Sequence, residues 1–144
     1  MKTRKQSLKS LQKRADILYQ QKMRELKPFS VVSGLPTEVI HHFIRKSQSN
    51  FLRYDESNGV PLTNKEHTLH HITGDPSIVA AILKYYGEEW FKDLQQRRHI
   101  VQKTSKGYLL DVIQKLNRWR SFRPKEPATI VELPVFLTSF RKEG

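Results

Sequence analysis

Five of the chain's six histidines lie between His41 and His71: the pair His41–His42, then His67, His70 and His71. Imidazole is the commonest protein metal ligand and the side chain whose proton exchanges closest to neutral pH. Residues four apart on a helix share a face, so His67 and His71 are placed to grip one cation, with His70, three on from His67, as the rival second ligand. Successive residues of a strand point to opposite faces, so His41 and His42 take different tasks, one joining the metal while the other meets substrate. Metal-assisted hydrolysis needs that division. The ion neutralises a phosphate oxygen and the departing alkoxide, and a neutral imidazole takes a proton from attacking water.

The elements that must position these histidines follow from local signals. Residues 38–44 (EVIHHFI) are β-prone and predict a strand carrying His41 and His42. Residues 45–58 lack periodicity and predict a loop, and 59–62 (GVPL) a short second extended segment. Thr63-Asn64-Lys65-Glu66 fits a capping box, so a helix is expected to start there, carry His67, His70 and His71, and stop at Gly74. Asp75-Pro76 opens a further helix with Asp as cap and Pro in the first turn, burying Ile78, Val79, Ile82, Leu83 and Tyr86. Residues 88–102 and 105–120 predict two more helices. Ahead of the strand, residues 1–27 read as one polar helix with a narrow stripe of Leu8, Leu11, Ala15, Leu18 and Lys22 or Met23, and with Lys5, Lys9, Lys13 and Arg14 outside it. The tail 121–144 holds Pro124, Pro127 and Pro134 and a β-prone stretch over 129–140.

Charge names a partner class. Lysine and arginine number 26 against 14 acidic residues, a formal net charge of +12, and a polyanion is the simplest partner for such an excess. A membrane surface fits less well, because the N-terminal helix lacks tryptophan and phenylalanine anchors. No run approaches the roughly 18 apolar residues of a membrane span, and no apolar h-region suggests secretion, so a cytoplasmic setting is expected. The absence of cysteine excludes disulfides and thiolate metal sites.

The order of these residues resembles a known motif. His41-His42-Phe43-Ile44-Arg45, Tyr54-Asp55-x-x-Asn58 and His67-x-x-x-His71 are similar to the HNH, or ββα-metal, nuclease motif, with a spacing from Asn58 to His71 like that of DNase colicins. His42-Phe43-Ile44, Arg53-Tyr54-Asp55-Glu56-Ser57-Asn58 and Tyr86-Gly87-Glu88-Glu89-Trp90 resemble phage recombination nucleases of the NinG/Rap kind. The likeness covers about residues 29–95. It implies an α+β fold, a small ββα-metal core surrounded by helices, with a basic N-terminal helix (1–27), a nuclease core with its following helices (28–103), and a C-terminal helix with a proline-containing tail (104–144).

The resemblance also implies roles. His42 matches the general base and His41 a metal ligand, with His67 and His71 as the remaining ligands and His70 a bystander. Asn58 matches the central asparagine, which holds the loop and orients the base. Arg45, Lys46 and Arg53 sit where a cleft would meet phosphate. The implied activity is metal-dependent DNA hydrolysis leaving 5′-phosphate and 3′-hydroxyl ends, nicking or structure-selective. Mg2+ or Mn2+ is expected in function, and Zn2+ is a candidate occupant of purified protein. Where many family members place two Cys-x-x-Cys pairs, this chain has Phe29 and Val32, then Thr63 and Glu66. Packing and a helix cap are expected to replace the structural zinc. Rival readings are a non-catalytic nucleic-acid-binding protein on the same scaffold, and a nuclease subunit working in a homodimer or with a protein partner through the N-terminal helix or the tail.

Overall fold

Ser7 starts the first helix by accepting a hydrogen bond from the Ser10 N–H, and helix α1 (Leu8–Leu26) runs to the residue pair before Pro28. The structure is a computed structural model and describes residues 6–122; the β-prone stretch 129–140 and Lys5 lie outside the described residues. Leu11, Ala15, Tyr19 and Met23, each four apart, form the buried stripe of α1 together with Lys22. Leu8 is instead 39% exposed, and Tyr19 takes a place in the stripe that the sequence pattern passed over. Lys9, Lys13 and Arg14 are exposed on the outer face.

After α1, residues 29–36 fold back through a bridge between Phe29 and Pro36, with Gly34 in the left-handed region at φ 76°. Strands β1 (Val39–His42) and β2 (Gly59–Leu62) then pair antiparallel, His41 opposite Val60 and His42 opposite Gly59. Strand β1 ends at His42 because the chain turns at Phe43–Ile44 into the loop. A 3-10 turn (Glu56–Asn58) leads into β2. Thr63 caps α2 (Asn64–Thr68) in a complete capping box: its hydroxyl accepts from Glu66 N–H while Glu66 accepts from Thr63 N–H.

The expected single helix over 63–74 changes character part-way. Leu69–Thr73 forms a π-helical turn, closed by Gly74 at φ 63°, whose N–H reaches the Leu69 carbonyl. Helices α3 (Pro76–Tyr86, capped by Asp75), α4 (Glu88–Arg97) and α5 (Lys106–Phe122) follow. Helix α4 is shorter than the pattern predicted; residues 98–104 run irregularly, and Asn50 donates to the Gln102 carbonyl and Thr104 hydroxyl there.

Among the described residues the architecture is therefore α+β, with five α-helices around a two-stranded antiparallel sheet. Helix α5 lies on α1, so the first and last helices of the described residues meet in one core with the hairpin: Leu11, Ala15, Tyr19, Met23, Ile40, Tyr54, Leu109, Ile113 and Leu116. On the other side of the sheet, Val60 and Leu62 pack with Ile78 and Ile82 of α3. Ile44 and Leu52 of the loop pack on Leu94 of α4. Among the described residues, no helix is long and apolar enough to cross a membrane.

Candidate metal centre

The hairpin supplies two histidines and the capped helix supplies the rest. His41 of β1, His67 of α2 and His71 of the π turn bring one ring nitrogen each to within 4.8 Å of one another. The His41 ring lies 5.2 Å from each of the other two, and His67 and His71 are 4.3 Å apart. Burial falls from His41 (buried) through His67 (half-buried) to His71 (exposed), so the cluster is sealed at the sheet and open at the helix end. Burial, then the neighbouring imidazoles His67, His70, His71 and His42, push the His41 pKa down to about 3. Burial, followed by His71 and His70, lowers His67 too. These rings are neutral at pH 7 and offer lone pairs, the form a metal ion requires.

His42 lies outside this triad, with its ring packed against α1. Its Nε2 lies 2.8 Å from the Arg53 carbonyl. A carbonyl only accepts, so Nε2 carries the ring proton and the lone pair sits on Nδ1. The ring stacks on Tyr19 at 5.2 Å between centroids. Burial lowers its pKa to about 4; the Arg53 carbonyl opposes that shift, Lys46 and Arg53 charges reinforce it, and Asp16 opposes it. The stack depends on Gly59, opposite His42. A Cβ there would come within 2.5 Å of the Tyr19 hydroxyl, 2.7 Å of Met23 and 2.9 Å of Ile40, so only glycine lets α1 approach the hairpin this closely.

Asn58 is fully buried and touches backbone alone. Its Oδ1 accepts from Ile44 N–H at 2.7 Å, and its Nδ2 donates to the Ile44 and Leu52 carbonyls at 3.0 and 3.2 Å. It pins both ends of the 44–52 loop to the strand pair next to His42. Asp55 and Ser57, in the same turn, are held by Arg97 of α4, and Trp90 donates to the Ser57 carbonyl at 2.8 Å.

Arg45 and Lys46 are exposed just beyond β1. Arg53 is engaged within the fold: its guanidinium grips Asp16 of α1 through two hydrogen bonds of 2.9 and 2.6 Å, and Tyr54 donates to the same carboxylate at 2.8 Å. Arg53 therefore docks α1 and, through its carbonyl, fixes His42. Sequence reasoning missed Asp16, Tyr19 and Gly59. The step of four that runs through Ala15, Tyr19 and Met23 was the signal for Tyr19; nothing local marks the other two.

A direct link joins the turn after α1 to the start of α2. Ser30 donates to Glu66 Oε1 at 2.6 Å, and the Ser30 hydroxyl also accepts from Val32 and Ser33 N–H groups. The turn after α1 is thereby tied to the cap of the histidine-bearing helix. Burial alone would raise the Glu66 carboxyl, but hydrogen bonds from Ser30 and Thr63 hold it below its ordinary value, as an anion.

The donor set fits a divalent ion: three imidazoles converge, and His70, beside them, has a buried Nδ1 with no hydrogen-bond partner. All-nitrogen ligation suits zinc and cobalt better than magnesium or manganese, which prefer oxygen. Comparison with protein-family models, with curated proteins and with solved structures finds no match.

Proposed function

We propose that the chain is a metal-dependent DNA endonuclease of the HNH, ββα-metal type. The observation that carries the reading is the placement of adjacent histidines on β1. His41 joins His67 and His71 in a convergent triad, while His42, next to it in the strand but outside the triad, carries its proton on Nε2 and its lone pair on Nδ1.

In this reading His41, His67 and His71 hold the ion. When bound, a divalent cation supplies charge for a phosphate oxygen and for the leaving 3′ oxygen. The protein's own groups do the rest. His42 Nδ1 accepts a proton from the attacking water, and the Arg53 carbonyl steadies the imidazolium that forms by accepting its Nε2–H. Tyr19 keeps the ring plane in place from the side of α1. Asn58 acts at a distance, holding the loop that carries the Arg53 carbonyl. Arg45 and Lys46, exposed beside the strand end, meet backbone phosphates, and the net charge of +12 supports a polyanionic substrate. DNA rather than RNA follows from the resemblance, and a single nick per encounter from the one such histidine centre among the described residues.

The test is conversion of supercoiled plasmid to open circle with Mg2+, Mn2+ or Zn2+, with and without chelator, beside His67→Ala. Metal-dependent nicking that chelator and His67→Ala both abolish supports the reading. Retained salt-sensitive DNA binding with no nicking under any metal would replace it with a binding protein or an incomplete nuclease subunit.

A further inference from the structure

The fourth histidine of the cluster has no task in this account. His70 lies in the π turn between His67 and His71, and its ring centroid is 4.9 Å from that of His41, nearer than either His67 or His71 at 5.2 Å. It is 5.2 Å from the His71 ring. Its Nδ1 is sealed from solvent and has no hydrogen-bond partner. A buried polar nitrogen without a partner is costly, and such groups in a folded protein ask for an explanation. DNA cannot supply the missing partner, because the atom is not accessible from outside. An ion held by His41, His67 and His71, whose nitrogens already converge within 4.8 Å, can supply it once the adjacent His70 ring closes on that group. The π turn points the same way: a single widened turn interrupts an otherwise well-capped helix at this residue, and such turns concentrate at functional sites.

We infer that His70 is a fourth, exchangeable imidazole ligand of the metal centre, engaged by nitrogen-preferring ions such as Zn2+ and Co2+ and left off by Mg2+ and Mn2+. This rests on the metal-centre reading above. Zinc is satisfied by four protein ligands in closed sites, whereas catalysis needs an open position. Engagement of His70 therefore makes tightly held zinc a poor activator, and the choice of ion decides whether the centre is closed or open.

Zinc-edge X-ray absorption on the full, unmodified chain reads the ligands directly, and is expected to show four histidine nitrogens. Competition titration with a chromophoric chelator compares the chain with His70→Ala and His67→Ala, and the visible spectrum of the Co2+ form is recorded for each. His70→Ala is expected to weaken zinc at least about tenfold, the lower end of what losing even an outer-shell partner costs, and to change the Co2+ spectrum. Three nitrogens plus oxygen in the wild-type chain, or unchanged zinc affinity and Co2+ spectrum in His70→Ala, would overturn the role of His70 and leave the triad standing. A wild-type chain that binds neither ion would overturn the metal centre itself, and this inference with it. Circular dichroism of the metal-free variants keeps loss of fold separate from loss of a ligand.

Discussion

Two neighbouring imidazoles differ because one strand residue faces the histidine-bearing helix and the next faces α1. That difference has a pH signature. A general base works unprotonated, so under the proposed nuclease reading the cleavage rate should rise with pH through the His42 value of about 4, with the acid limb of the pH–rate profile well below the ordinary 6.5. Stability of the metal-free chain follows the same sign. His41 and His42 both have lowered values when folded, so their contribution is complete above 6.5 and is lost as pH falls toward about 3 and 4. Over that window each ring weakens folding by up to about 1.4 kcal/mol per pH unit. Urea denaturation between pH 7 and 4.5 measures it; a flat profile would mean that these rings titrate freely in the folded state. Asn58→Ala tests a different residue-scale claim. It strips three backbone groups of their partner in a fully buried place and should cost about 2–4 kcal/mol in thermal or urea unfolding, with activity failing through the loop.

At the scale of elements, the hairpin, the capped helix and α1 hold the site by specific links. The Ser30–Glu66 bond and the capping box meet on one carboxylate, so Glu66→Ala should destabilise by about 1–3 kcal/mol and loosen the placement of His67. Glu66→Gln, which keeps an acceptor, should cost less; equal losses would mean that the hydrogen bonds do not matter. These local features were legible in sequence because they are local: the capping box spans four residues, the strand–loop–strand order follows from the β-prone stretch 38–44 and the aperiodic polar stretch after it, and Asp75-Pro76 announces the start of α3. The links between α1 and the site were not. Asp16 meets Arg53 and Tyr54, and Tyr19 meets His42, only after the chain has folded back, and an exposed-looking Asp in a polar helix gives no sign of it. The engagement of Arg53 with Asp16 was hidden for that reason. The π turn was equally hidden, since His67, His70 and His71 suit a regular helix as well.

For the whole molecule, α1 and α5 form the wall against which the hairpin is set, so the ends of the described chain support the site together. Leu109→Ala, in that wall and far from any metal ligand in sequence, should cost about 2–5 kcal/mol of stability while leaving zinc affinity of the folded protein unchanged. The charge excess acts at the same scale: DNA affinity should fall at least about tenfold between 50 and 200 mM salt, with little dependence on base sequence. The central claim, that His41 with His67 and His71 holds the ion while His42 does proton chemistry, meets its most direct test in His42→Ala. Plasmid nicking is measured in Mn2+ for this variant and the wild-type chain, at metal concentrations shown by titration to saturate both. The account predicts that the variant binds metal as the wild type does and nicks about 100- to 10,000-fold more slowly. Equal nicking by the two proteins, or loss of metal binding with the loss of His42, would contradict it.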